Sequence, residues 1–169
     1  MTTVPRPPSA ARLTFYRYVN PVMRLMVRMG SGGRGADLLR VLRVRGRTSG
    51  RLYEVPVRVA VLDGHRYVMT MMGDTQWARN LRAAGQGQLV LGKSAEQVRA
   101  REIDGQEKTA FLSRCFQYPE FERRARSTLK SAFGQDVTSL GPHDIELLSR
   151  IWFVFHLEPA KPLTDDRVL

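Results

Sequence analysis

The residues best suited to chemistry lie in one short stretch, Val44-Arg45-Gly46-Arg47-Thr48-Ser49-Gly50-Arg51. Gly46 and Gly50 let successive backbone N–H groups turn toward one point, and Arg47 presents a fork that matches phosphate or carboxylate oxygens. The chemistry on offer is anion binding, with Arg45 and Arg51 adding charge and Thr48 and Ser49 adding hydroxyls. The plainer reading is a polar hairpin tip with no ligand. Nucleophilic and metal-based chemistries find little support. No Ser/His/Asp order, paired acidic motif, CxxC or HExxH stands out, and His65, His143 and His156 are far apart with no ligand-type spacing. The single cysteine, Cys115, can form no internal disulfide, which favours a reducing cytoplasm.

The charge balance agrees with an anionic partner. Lys+Arg 27 against Asp+Glu 16 gives a net charge of +11, which suits nucleic acid, acidic lipid or a polyanionic small molecule. At 169 residues and 43% hydrophobic, the chain is long enough for one cored domain and short for two. No window approaches the roughly 18 uncharged apolar residues of a spanning helix, and Met1 to Ala10 lacks the apolar stretch of a secretion signal. The expected setting is therefore the cytoplasm.

Periodicity indicates the elements that must position the basic loop. Residues 1–12 are proline-rich and read as a disordered lead-in, 13–160 as one domain and 161–169 as a tail. Leu13 to Met29 reads as helix, with Asn20-Pro21 as an internal restart. Its Val22, Met23, Leu25, Met26 and Met29 are apolar, while Arg17, Arg24 and Arg28 share a face. Such a segment either caps the core or lies on an anionic membrane. Leu38 to Arg45 and Tyr53 to Leu62 read as strands flanking the loop. Tyr53, Val55, Val57, Val59 and Val61 give the second strand one apolar face. Pro56 within it marks an edge, a bulge or a place where something other than a strand lies against the backbone. Alternation sends Arg43, Arg45 and, if continued, Arg47 to one side.

Asp63-Gly64 is a tight-turn signal, followed by a strand from His65 to Met72. Thr75 to Ala84 reads as a helix stopped by Gly85, with Trp77, Leu81 and Ala84 on one face and Asn80 beside them. Trp77 reads as a core anchor or a ligand contact. Gln88 to Gly92 and Gln97 to Ile103 form a hairpin around Lys93-Ser94-Ala95-Glu96. Helices are expected over Asp104 to Cys115, Pro119 to Phe133 and Pro142 to Leu148. The closing strand, Arg150 to Leu157, is apolar on both faces at its start and belongs at the centre of a sheet. No crossover is long enough for repeated βαβ units. The fold class is α+β: a split β-barrel of about six mostly antiparallel strands with flanking helices.

The run LLRVLRVRGRTSGRLYEVPVRVAVLDG followed by MTMMGDTQWARNLRAAGQGQL resembles the deazaflavin (F420)-dependent nitroreductase and quinone reductase family of actinobacteria. The shared features are a GRxSG turn, a proline in the following strand and a W-x-x-N-L helix ahead of a strand. The resemblance covers Leu38 to Ile103. It implies a split barrel that binds reduced coenzyme F420, an 8-hydroxy-5-deazaflavin with a phosphate and a glutamate tail. It also implies hydride transfer to a quinone, nitroaromatic or activated enone. Family phosphate contacts fall on Arg47, Thr48, Ser49 and Gly50, with Arg51 adjacent. Several relatives carry lysine where Thr48 stands, so Arg45 or Arg51 would replace that charge. The strand proline is Pro56, the ring site lies near Thr70, Met71 and Met72, and the next helix supplies Trp77 and Asn80. Tyr118 is the candidate catalytic residue, since some relatives place tyrosines in a similar Tyr-Pro segment; here Phe121 and Arg124 follow in place of further tyrosines.

Two other functions share this sequence signature. A basic barrel could carry a deazaflavin, flavin or haem-like ligand without turnover. It could also bind nucleic acid, although the paired exposed aromatics of such surfaces are missing and the arginines gather at one hairpin tip. A small-molecule partner is the expectation, with the N-terminal helix as a point of peripheral membrane contact.

Overall fold

The computed structural model describes residues 22–25, 27, 29–30, 37–71 and 73–160. The lead-in, the tail, much of the N-terminal helix (Arg17, Met26 and Arg28 included) and Met72 lie outside the described residues. The described elements are β1 (Asp37–Arg45), β2 (Leu52–Leu62), β3 (His65–Thr70), α1 (Gln76–Ala84), β4 (Gln86–Leu91), β5 (Ser94–Ile103), α2 (Gly105–Cys115), α3 (Pro119–Phe133), α4 (Pro142–Ile151) and β6 (Phe153–Pro159). The strands close into a barrel in the order β1-β2-β3-β6-β5-β4, and every pairing is antiparallel. Closure removes the exposed edges that an open sheet of this size would present.

Side-chain alternation divides the apolar residues between two main cores. Leu42, Val44, Val57, Val59, Val68, Leu89, Val98, Phe155 and Leu157, drawn from all six strands, fill the barrel, and Ala78 and Leu81 of α1 pack with them. Ala60, Leu62, Met69, Ile103 and Val154 face outward, beneath Phe111, Leu112, Phe121, Leu129, Leu147, Leu148 and Trp152 of the helical layer. A smaller cluster joins Val41 and Val90 to Val27. In the N-terminal helix Val27, outside the apolar set named from the sequence, is fully buried on the barrel wall, while Val22, Leu25 and Met29 of that set are exposed.

Strand β2 departs from a single apolar face. Val57 and Val59 point inward as expected, but Ala60 and Leu62 are also buried because the helices cover that stretch from outside. Tyr53 is exposed, beyond the barrel end. Pro56 sits where a missing N–H costs least. On one side it faces Val41 of β1, whereas β3 pairs with β2 only from Val59 to Leu62. The free half of β2 is the split, and proline belongs on such an edge.

Other boundaries moved for identifiable reasons. The β4–β5 hairpin turns at Gly92-Lys93, so Ser94, Ala95 and Glu96 are strand residues opposite Leu91, Val90 and Leu89, not a loop. Helix α4 runs on to Ile151, and the Trp152 N–H donates to the Leu148 carbonyl at 2.8 Å. The closing strand therefore starts at Phe153 rather than Arg150. A short apolar run looks the same to a helix as to a strand, and Leu147, Leu148 and Ile151 use it at helical spacing. Strand β3 ends at Thr70, short of Met72. Strand β6 is central, as expected, between β3 and β5.

Gly87 marks the tightest strand contact. A Cβ there would lie 2.9 Å from the Arg43 carbonyl oxygen and 3.1 Å from a Leu42 methyl. Backbone cannot yield as a flexible side chain would. Gly87→Ala is expected to destabilise the fold by about 1–3 kcal/mol, read as a lower urea midpoint with unchanged slope.

His156 predicts how stability depends on pH. Its Nε2 lies 3.2 Å from His65 Nδ1, and burial, aided by His65 and Arg101, pushes its pKa below the ordinary value. The unfolded chain takes up this proton first, at its reference pKa of about 6.5. Stability from the neutral ring is complete above that value and is lost as pH falls through the lower folded pKa. Glu96 and Glu107, held below their usual range by Arg66 and Arg101, lose their pairs only in more acidic solution. Thermal melts should show a first loss of stability below about pH 6.5, absent in His156→Gln.

Candidate functional site

The basic loop is a closed turn. The Gly46 N–H donates to the Arg51 carbonyl at 2.8 Å, and the Gly50 N–H, at φ +65°, donates to the Gly46 carbonyl at 2.9 Å. Gly46 is buried because the Tyr53 ring folds over it. A Cβ at Gly46 would lie 2.5 Å from Tyr53 Cε2 and 2.6 Å from Ser49 Oγ. With that space left open, the Ser49 and Tyr53 hydroxyls meet at 3.1 Å. Arg45 buttresses the turn, its Nη1 donating to the Gly50 carbonyl at 3.2 Å. Arg43 is engaged with Glu54, directly opposite on β2, at 2.7 Å. Strand alternation therefore does not carry through to Arg47.

Arg47 is instead aimed by α1. Its backbone N–H donates to Asn80 Oδ1 at 3.2 Å, and its Nη1 donates to Asn80 Oδ1 and to Gln76 Oε1, each at 3.0 Å. Gln76 and Asn80 are four residues apart, so both amides lie on the face of α1 that meets the loop. The helix is fixed in turn. Gly85 ends it in the left-handed conformation, and Arg82 reaches both Asp74 and Glu102 while its guanidinium lies 5.4 Å from the Phe153 ring centre. Those two carboxylates hold the Arg82 pKa well above its ordinary value.

Two cavities flank α1. The first, ≈ 470 Å³, is bounded by Gly46, Arg47, Thr48, Ser49, Gln76 and Asn80 of the loop and helix, together with Tyr53, Glu54, Val55 and Trp77. The second, ≈ 380 Å³, occupies the split beside Pro56 and is lined on the barrel side by Val57, Met69, Thr70 and Met71. Its opposite side carries Arg124, Ser127 and Thr128 of α3. Val55 and Trp77 line both cavities. Trp77 also packs on Phe155, with ring centres 6.1 Å apart, so it serves the core and the site together.

The expected residues are distributed unevenly. Arg47, Thr48, Ser49, Trp77 and Asn80 line the first cavity, and Pro56, Thr70, Met71 and Trp77 line the second. The Thr70 hydroxyl donates to the Gly73 carbonyl, which fixes the strand end. Arg45, Gly50 and Arg51 shape the turn but do not line either cavity; the Arg51 N–H donates to Ser49 Oγ at 3.3 Å. Met72 lies outside the described residues. Tyr118, expected to carry the catalytic hydroxyl, stands apart from these residues. It is the N-cap of α3, exposed, edge-on to Phe121 at 6.5 Å, and lines neither cavity. Sequence reasoning missed Gln76, one turn before Asn80, and the α3 stripe of Arg124, Ser127 and Thr128, whose helical spacing was the available signal.

This donor set fits a ligand with an anionic tail and a flat, weakly polar body. Arg47 with the Thr48 and Ser49 hydroxyls offers charge-assisted bonds to a phosphate, while proline, methionine and tryptophan side chains surround the neighbouring space. Among the described residues no group of three or more His, Cys, Asp or Glu side chains could hold a metal. Cys115 is buried, and burial pushes its thiol up to about 12, so it offers no nucleophile.

Comparison with known proteins agrees with this chemistry. The profile of the "F420H(2)-dependent quinone reductase" family matches residues 15–131. No curated protein matches the chain. Among solved structures, the chain is similar to one described as an F420-H2 dependent reductase, at 17% identity, covering 71% of this chain and 93% of that one, TM-score 0.45. It is also similar to a conserved hypothetical protein from Mycobacterium tuberculosis, at 15% identity, covering 95% and 85%, TM-score 0.44. A FAD-binding protein from Mesorhizobium loti gives 17% identity, 94% and 93%, TM-score 0.38. The profile match takes in the basic loop, α1 and the cavity-lining stretch of α3, and with it the chain belongs to the F420H(2)-dependent quinone reductase family, an oxidoreductase family whose cofactor is coenzyme F420.

Proposed function

We propose that the protein transfers a hydride from reduced coenzyme F420 to a quinone, with nitroaromatics and activated enones as further acceptors. The observation that carries this reading is the pair of cavities sharing Val55 and Trp77, one around the Arg47 loop, the other beside Pro56 in the split. When bound, the reduced deazaflavin supplies a hydride from its C5 carbon. The chain's own contribution is position and exclusion of water. Arg47, Thr48 and Ser49 bond the anionic tail, with Asn80 and Gln76 keeping the guanidinium aimed. Pro56, Thr70, Met71 and Trp77 offer a wall for the ring, and Val57 and Met69 keep that wall dry. The exposed Val22, Leu25 and Met29 beside Arg24 support a peripheral contact with an anionic membrane, where apolar quinones reside.

Three measurements check these statements. Purified protein mixed with reduced F420 and then menadione should regenerate the fluorescence of oxidised F420; binding without oxidation would point to a carrier. Arg47→Ala should weaken F420 binding by about 1.5–3 kcal/mol, the worth of a charge-assisted hydrogen bond, and an unchanged affinity would mean the phosphate lies elsewhere. In flotation assays, vesicles containing phosphatidylglycerol should retain the full chain at low salt, and Leu25→Glu should release it; indifference to the lipid would remove the membrane contact.

A further inference from the structure

We infer that Tyr53 is a positioning residue for the anionic tail: its phenol donates to Ser49 Oγ and so commits the Ser49 hydroxyl to donating toward the ligand. This rests on the reading above, in which the basic loop bonds the tail of the cofactor. Tyr53 belongs to none of the apolar clusters formed by the described residues, stands 48% exposed beyond the barrel end, and lines the first cavity. Its ring covers Gly46, a task that phenylalanine would perform as well. The hydroxyl is the part that needs another reason, and it lies 3.1 Å from Ser49 Oγ.

Counting protons supplies that reason. Ser49 Oγ already accepts the Arg51 N–H at 3.3 Å, which leaves it one lone pair and one proton. Between two hydroxyls only one proton can lie in the shared bond. A phenol is a better donor than an alcohol, so the bond runs from Tyr53 to Ser49. Both lone pairs of Ser49 are then filled, and its own O–H is the one group left to point elsewhere. The space beside it is the first cavity, which Ser49 lines together with Arg47 and Thr48. Other acceptors in that wall already receive hydrogen bonds: Asn80 Oδ1 and Gln76 Oε1 from Arg47, and Glu54 from Arg43 at 2.7 Å. A hydroxyl that accepts two hydrogen bonds is polarised, and it donates a stronger third. The group it suits carries oxygens with lone pairs alone, as a phosphodiester does. Tyr53 thereby favours the tail-bearing deazaflavin over the same ring without its phosphate.

The test uses Tyr53→Phe, Ser49→Ala and the double variant in the full-length protein, with circular dichroism to establish that each folds. Affinity is read by fluorescence quenching for F420 and for the deazaflavin that lacks the phosphate and glutamate tail. Ser49→Ala should weaken F420 binding about tenfold, the cost of one hydrogen bond to a charged group, and Tyr53→Phe about three- to fivefold. In the Ser49→Ala background the Tyr53→Phe change should cost almost nothing, because the hydroxyl it acts through is gone. The tail-less deazaflavin should bind wild type and all three variants alike. Full F420 affinity in Tyr53→Phe would overturn the assignment. So would an equal cost of Tyr53→Phe with and without the Ser49 hydroxyl, since Tyr53 would then touch the ligand by itself. A matching loss for the tail-less deazaflavin would also overturn it, by placing the effect in the ring site or the fold. Failure of wild type to bind F420 would instead overturn the functional reading, and the inference with it.

Discussion

The bond from Asn80 to Arg47 is the constraint on which the site depends. One buried amide oxygen accepts from both the backbone and the guanidinium of Arg47, and so fixes the loop to α1 at two points. A flexible arginine on an exposed hairpin tip would lose considerable rotamer freedom on gripping an anion. Here much of that ordering is complete before any ligand arrives. Asn80 can play this part because α1 is itself held, through Leu81 in the barrel core and Arg82 across Asp74 and Glu102.

The split in the barrel follows from strand pairing that stops early. β2 is long enough to pair β1 over its whole length, but β3 leaves it after Val59 and turns toward β6. The backbone so exposed includes Pro56, which has no donor to leave unsatisfied. Apolar side chains of β2 and β3, with Trp77, then line a cavity that the helical layer closes from the other side. A pocket is thus made by withholding one ladder from an otherwise closed barrel. Methionine and valine side chains line it, with Arg58 and Arg124 also in its wall.

Basic residues are numerous but unequal. Arg43, Arg66, Arg82, Arg101, Arg126 and Arg150 are engaged by carboxylates and serve to tie elements together. Arg47 is held by neutral amide oxygens, which orient its guanidinium without neutralising it. That difference separates an arginine suited to an anion from a structural one. It also explains why a net charge of +11 said so little about the partner.

What the sequence determined by itself was local. The glycine-bounded turn, the Asp63-Gly64 hairpin, the period of β2 and the stop at Gly85 are short-range consequences of backbone freedom and side-chain alternation, and they bring Arg47, Thr48, Ser49, Pro56 and Trp77 to the walls of the two cavities. The W-x-x-N-L pattern even brought Asn80 to notice, although not as the residue that holds Arg47. Tertiary structure decided the rest. Whether Ile151 ended a helix or began a strand depended on which core would take it, and which strands closed the barrel depended on pairings between distant segments. Arg45 and Arg51 fell outside the cavities because a turn closed by the Gly46 and Gly50 hydrogen bonds directs neighbouring side chains apart, something alternation along a strand cannot anticipate. Tyr118 was exposed and Arg124 brought to the pocket by the way α3 packs through Phe121, Ala125 and Leu129. Spacing along a helix assigns residues to a face; only the packing of that helix decides what the face meets.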